Sequence, residues 1–206
     1  EFLRAGPGFG GSCFQKDILN LIYLCNFYKL YDVANYWEGV IEINNWQKSR
    51  IPRIIVNNLF GNISGKKIGI LGFAFKANTN DTRESPSINI CKDLLEEGAN
   101  LSIYDPKVEH FKIEEDLGIR KKDLNNNDYY GNYQICKSIL DVALGSDALV
   151  ILTEWEEFSD ILWEELILKM RKPAWIFDTR ICIDFNRAKE AGFNIWKIGK
   201  IQNKND

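Results

Sequence analysis

The chain has 206 residues, of which 45% are hydrophobic and 27% charged, and a formal net charge of −3. This is the composition of an ordinary soluble globule, large enough to bury most of the surface its unfolded form exposes. Scattered Lys and Arg argue against a nucleic-acid or anionic-membrane partner, and the longest apolar run, Ala148 to Leu152, is far too short to span a bilayer.

The chain opens on a glycine-rich stretch, GPGFGGSCFQKD (residues 6–17). Residues 16–60 then follow a helical period. Ile18, Leu21, Ile22 and Cys25 form one stripe, and Val33, Trp37, Val40, Ile41 and Asn44 a second. Pro52 falls inside the pattern and is expected to kink or restart the helix, because it lacks a donor and crowds the preceding turn. From Lys66 the pattern changes to short apolar runs alternating with helical stretches. KIGILGF is a buried strand, and Pro86 to Glu97 a helix with proline in its first turn and Gly98 past its end. LSIYD, ALVILT (148–153), AWIFD (174–178) and FNIWKI read as further strands. Helices are expected from Trp163 to Met170 and from Asp184 to Ala191. This alternation predicts an α/β fold: a helical segment followed by a Rossmann-like parallel sheet with flanking helices. The Asn-rich stretch 121–132 reads as a surface loop.

Five cysteines without a C-x-x-C spacing fit a reducing, cytoplasmic setting, not a disulfide framework or a zinc site. The single histidine, His110, lies in a polar stretch and reads as a solvated loop residue. Cys25, Cys91, Cys136 and Cys182 sit in apolar patterns and read as small core residues. Cys13 differs. It precedes the first helical pattern, with Ser12 as a candidate N-cap and Lys16 close by. A helix N-terminus favours the thiolate, and bare glycine backbone lets a ligand approach closely. These are the surroundings of a covalent nucleophile. Asp17 lies one turn on. It reads either as a group that orients water or holds a proton, or as a first-turn acid complementing the helix dipole.

Gly69 and Gly72 end the first strand of the α/β unit, and Asp105, 33 residues beyond Gly72, ends the second. A dinucleotide fingerprint requires another glycine spacing and a nearer acid, so these glycines read as a tight strand-to-helix turn. Ligands of such sheets bind at the carboxyl ends of the strands, where Phe75, Lys76 and Arg83 fall. The two cations read equally as phosphate ligands and as solvated loop charges.

Five runs, GFGGSCFQKD (8–17), ILGFAFKANTNDTRES (70–85), IYDPKV (103–108), ILTEWEEF (151–158) and IFDTR (176–180), together resemble the UDP-glucose 6-dehydrogenase family in order and spacing over nearly the whole chain. Gln15 looks like the eukaryotic type. Sister dehydrogenases of GDP-mannose or UDP-N-acetylmannosamine share the architecture, and a non-catalytic UDP-sugar-binding fragment is a further alternative. The resemblance implies a two-step, NAD-dependent oxidation of UDP-glucose to UDP-glucuronate through a thiohemiacetal and a thioester on Cys13, with Asp17 assisting proton transfer. It implies that Phe2, Leu3, Arg4, Phe9 and Gly10 line the UDP-glucose site, that Phe75, Lys76 and Arg180 also hold this substrate, and that Arg83 reaches toward NAD. It implies no metal, and a homodimer through the helix around residues 32–60, with higher assembly open. The implied layout is a catalytic-cysteine and helical dimerisation region over 1–64 and a UDP-sugar domain over 65–206. The family's NAD-binding domain, which precedes this segment, is not among these residues. The chain is therefore expected to be part of a longer polypeptide and inactive alone.

Overall fold

The computed structural model describes residues 4–118 and 131–199. Phe2 and Leu3, and residues 121–130 of the Asn-rich stretch, lie outside them. Helices α1 (Phe14–Phe27) and α2 (Tyr31–Asn58) pack on each other. The chain turns between them at Lys29, which adopts left-handed backbone (φ 59°). Ile18, Ile22 and Cys25 are buried with Ala34, and Trp37, Val40 and Ile41 pack against them. This is the expected stripe, with Ala34 inside where Val33 is exposed. Pro52 does not restart the helix, since α2 runs through it without a break. Proline in a helix interior costs about 3 kcal/mol. Burial of Ile51, Pro52 and Ile55 along one face outweighs that cost.

The sheet contains β1 (Lys67–Leu71), β2 (Asn100–Tyr104), β3 (Tyr133–Ile135), β4 (Ala148–Ile151), β5 (Trp175–Asp178) and β6 (Asn194–Lys197). Its order is β3-β2-β1-β4-β5-β6, and all neighbours are parallel. Four of the five β1 residues and all of β4 are buried. A parallel sheet covered on both faces accounts for such unbroken apolar runs. The helices between strands are α3 (Pro86–Glu96), α4 (His110–Leu117), α5 (Ile139–Ala143), α6 (Trp163–Leu166) and α7 (Phe185–Glu190). Ser85 caps α3 by accepting from Ser87 N–H, and Asp184 caps α7 by accepting from Asn186 and Arg187 N–H.

Three elements go beyond the sequence expectation: α4, β3 and α5. His110 is exposed as expected, but it opens a helix and is not a loop residue. None of the described helices is long and apolar enough to cross a membrane.

Two features of this architecture position the site. Strand order reverses between β1 and β4, which opens a crevice at their carboxyl ends. Helix α2 also belongs to both cores. Its first half packs on α1, and Ile51 and Ile55, with Leu59 just past its end, enter the main core with the sheet. Asn44 and Lys48, both buried, sit between these two apolar stretches.

Candidate active site

The crevice is spanned by Arg180, which follows β5. Its Nε–H donates to the Leu152 carbonyl at 2.7 Å and an NH2 proton to the Phe75 carbonyl at 3.1 Å. One side chain thus ties the chain beyond β4 to the chain beyond β1. Glu154 Oε2 lies 3.3 Å from Nε. The Nε–H is aimed at Leu152, so this contact is electrostatic. Burial holds the Arg180 pKa below its ordinary value, opposed by the charge of Glu154. Asp178 shapes the turn that presents Arg180, accepting the N–H groups of Arg180 at 2.9 Å and Ile181 at 2.8 Å.

The glycine loop lies against this structure. A methyl group on Gly6 would approach the Arg180 guanidinium to 3.0 Å, and one on Gly11 the Phe75 ring to 3.0 Å. On Gly8 it would meet Asn44 Oδ1 at 2.8 Å, and on Gly10 it would collide with the Glu84 carbonyl. The space that four side chains would fill is therefore taken by the protein itself. These glycines are thus required for close packing within the protein. Gly8 (φ 126°) and Gly11 (φ 91°) also take backbone that other residues rarely adopt.

Hydrogen bonds fix the loop from both sides. Gly11 N–H donates to the Arg83 carbonyl at 2.9 Å. From α2, Gln47 Nε2 donates to the Gly6 carbonyl at 2.9 Å. Asn44 Oδ1 accepts from Phe9 N–H at 2.8 Å, and Asn44 Nδ2 donates to the Phe9 carbonyl at 3.2 Å. The Lys48 stem packs beside Gly8. Burial lowers the Lys48 pKa, with partial compensation from Glu84. Asn44 falls on the apolar stripe of α2, and an amide at such a position was the sequence signal for this clamp. Gln47 and Glu84 carried no signal.

Cys13 is exposed at the N-terminus of α1, and it is the N-cap itself. Ser12 is not: no side chain caps α1, and the Ser12 hydroxyl lies 3.6 Å from the thiol sulfur. Asp17 is exposed one turn on, its N–H donating to the Cys13 carbonyl at 2.8 Å. Phe9 and Phe14 meet edge to face, centroids 4.7 Å apart, which links the clamped loop to the residue after Cys13. The remaining cysteines are buried or half-buried. Burial pushes the Cys182 thiol up to about 12 and raises that of Cys91 further still.

The structure thus brings Cys13, Asp17, Phe9, Gly10, Phe75 and Arg180 to one region. Lys76 is exposed beside it, Nζ over the Phe75 ring at 5.4 Å. Arg4 is exposed at the start of the loop. Arg83 contributes its carbonyl to Gly11, while its exposed guanidinium forms a forked pair with Asp81 at 2.9 and 2.7 Å. Asp81 raises the Arg83 pKa, and the nearby Cys13 adds to this.

The turn after β1 does not fit a dinucleotide. A side chain on Gly72 would collide with Thr153, so this glycine serves helix-free packing of β1 on the chain after β4. Asp105 is consumed by five donors: Phe73 and Ala74 N–H, the Trp155 indole, and Lys107 and Val108 N–H, at 2.7 to 3.1 Å. No lone pair remains suitably placed for a ribose.

A parallel α/β sheet whose switch point is overlaid by a glycine loop ending in an exposed thiol defines the class, a Rossmann-like nucleotide-binding fold. The profile described as the UDP-glucose/GDP-mannose dehydrogenase family, UDP binding domain, matches residues 69–185, and the central-domain profile of that family matches residues 1–46. The chain belongs to this family. It is 48% identical over 200 residues to UDP-glucose 6-dehydrogenase of Drosophila melanogaster, covering 97% of this chain and 42% of that protein. It is 43% identical over 208 residues to UDP-glucose 6-dehydrogenase 4 of Oryza sativa subsp. japonica, covering 97% of this chain and 43% of that one. The chain therefore spans less than half the length of these curated relatives. Among solved structures, a UDP-glucose dehydrogenase from Pyrobaculum islandicum shares the fold with TM-score 0.67 at 24% identity, over 92% of this chain and 39% of that one. An NDP-N-acetyl-D-galactosaminuronic acid dehydrogenase from Methanosarcina mazei does so with TM-score 0.72 at 22% identity, over 96% and 40%.

Proposed function

We propose that this chain carries the nucleophile and the UDP-sugar half of an NAD-dependent UDP-glucose 6-dehydrogenase. The observation that carries this reading is the exposed Cys13 at the start of α1, which no side chain caps, on a loop fastened to the segments that follow β1 and β5. NAD supplies hydride acceptance at each of the two oxidations, and the turn after β1 does not fit it. Within these residues only Arg83 is assigned to the cofactor, as an outer contact.

The chain's own residues do the following. The Cys13 thiolate adds to the C6 aldehyde, forming a carbon–sulfur bond and a tetrahedral adduct that can release hydride. The resulting thioester is hydrolysed to the carboxylate, and the thiol returns. Asp17, one turn along α1, guides the water and takes its proton. Arg180 and Phe75 hold the nucleotide-sugar with Phe9 and Gly10, and Lys76 offers its ammonium to the diphosphate. Phe2, Leu3 and Arg4 extend that site. We further assign residues 1–64 to the nucleophile and dimer region and 65–206 to the UDP-sugar domain. The dimer face is α2, which exposes Tyr36, Ile43 and Trp46. The expected compartment is the cytoplasm.

The test is protection of Cys13. UDP-glucose should slow its alkylation in this chain, and GDP-mannose should not compete. In the full polypeptide carrying this segment, Cys13→Ala should abolish UDP-glucuronate formation. Absence of protection, together with turnover by the Cys13→Ala variant, would refute the reading.

A further inference from the structure

We infer that Asn44 is a positioning residue for the nucleophile, acting through the peptide groups of Phe9; the inference rests on the function proposed above. Asn44 is 3% exposed on α2 and has no apolar role in the stripe it interrupts. Its amide makes both hydrogen bonds open to the Phe9 backbone, one accepted at 2.8 Å and one donated at 3.2 Å. A side chain that fits a peptide in this two-point manner fixes position and orientation together. Gly8 completes the fit, because any larger residue there would meet Asn44 Oδ1.

The path from Asn44 to the thiol is short and continuous. Phe9 holds Phe14 through its ring, and Phe14 is the first residue of α1, next to Cys13. Across the loop, Gly10 and Gly11 abut Glu84 and Arg83. The nucleophile loop is thus gripped between α2 and the segment beyond β1. Asn44 is the buried polar anchor on the α2 side, where the two cores of α2 meet. Lys48 of α2 and Glu84 of the opposite segment are the charged neighbours of this grip.

Adduct formation requires sulfur within bonding approach of the aldehyde carbon. A displacement of about 1 Å from a residue outside the reacting atoms can lower turnover by about a hundredfold. The first oxidation does not use the thiol. Loosening the loop therefore impairs the second oxidation selectively.

Asn44→Ala and Asn44→Asp test this, with Gln47→Ala as a milder variant that frees the Gly6 carbonyl and the Arg50 guanidinium but leaves both Phe9 bonds in place. In the full polypeptide, the Asn44 variants should form UDP-glucuronate about a hundredfold more slowly, with the UDP-glucose KM changed by less than about threefold. The aldehyde should escape and be trapped by hydroxylamine. A raised KM with unchanged kcat, or no trapped aldehyde, would overturn the inference. In this chain alone, Asn44→Ala should accelerate Phe9 amide exchange at least about tenfold while β1 and β4 amides keep their protection. Cys13 alkylation should change by more than about threefold relative to Cys182. Unchanged Phe9 exchange and Cys13 alkylation would also overturn it. If the wild-type polypeptide oxidises no UDP-glucose, the functional reading falls, and the measurements on this chain still decide the role of Asn44. Should Asn44→Ala not fold, Asn44→Asp, which keeps the acceptor for Phe9 N–H and loses the donor to its carbonyl, decides it by turnover, aldehyde trapping and Cys13 alkylation.

Discussion

Gly11 donates its N–H to the carbonyl of Arg83 at 2.9 Å, which joins the loop bearing the thiol to the segment that leaves β1. The neighbouring contact is tighter. Glu84 takes a left-handed backbone (φ 54°), which a non-glycine residue adopts at some cost, and its carbonyl lies where a side chain on Gly10 would go. The two parts of the chain are thus fitted backbone to backbone.

Gly10→Ala should destabilise the fold by about 1–3 kcal/mol, because backbone must move to make room. Gly39, inside α2, has open space where a methyl group would stand. Gly39→Ala should stabilise by about 0.5–1 kcal/mol through helix propensity. Urea unfolding of the two variants checks both signs. Equal effects would mean that the Gly10 contact is not tight.

Arg180 joins the ends of β1, β4 and β5, so its replacement is a structural event before it is a binding one. Arg180→Ala leaves the Leu152 and Phe75 carbonyls without donors and Glu154 without its cation. The expected loss is about 3–5 kcal/mol. Arg180→Lys keeps the charge but not the fork, and should lose about 1–3 kcal/mol. A double-mutant cycle with Glu154→Gln in urea would isolate the ion pair. A coupling near zero would assign the loss to the carbonyl bonds alone.

β1, β2, β4, β5 and β6, with α3, α7 and the parallel class, were legible because their signals are local: apolar runs, Pro86 at a helix start, Asp184 at a cap. The first stripe was legible for the same reason. β3 and α5 were not, because three and five residues are too short to show a period. Pro52 misled because tertiary burial of its neighbours, absent from any local rule, decided the outcome. The exposure of Cys13 at the start of α1 was legible from the polar glycine loop around it. The packing role of the glycines was not legible, because what fills their missing side-chain volume comes from residues 36 to 174 positions away, such as Asn44, Glu84 and Arg180. Long-range contact of that kind leaves no mark at the glycine itself.

Asp105→Asn tests whether the acid ending β2 binds nucleotide or builds the fold. The amide offers one acceptor oxygen where the carboxylate presents two, and turns an N–H toward backbone donors. A loss of about 1–3 kcal/mol in urea is expected. The NAD KM of the full polypeptide should change by less than about twofold. An intact stability with a raised NAD KM would instead make Asp105 a cofactor ligand.

The buried thiols set an alkaline limit. Cys182 has an ordinary pKa of 9.0 and in the fold is pushed up to about 12, chiefly by burial and then by the charge of Asp178. Cys91 is raised too, by burial. The unfolded chain therefore loses these protons first as pH rises above 9.0, and between there and about 12 it binds fewer protons than the native state. Stability is full below the unfolded value and falls through this window, by about 1.4 kcal/mol per pH unit for each thiol. Urea midpoints measured upward from neutral pH should decline above 9.0, and Cys182→Ala should reduce the slope by one thiol's share. A midpoint that holds steady to strongly alkaline pH would mean that the Cys182 thiol reaches solvent in the folded chain.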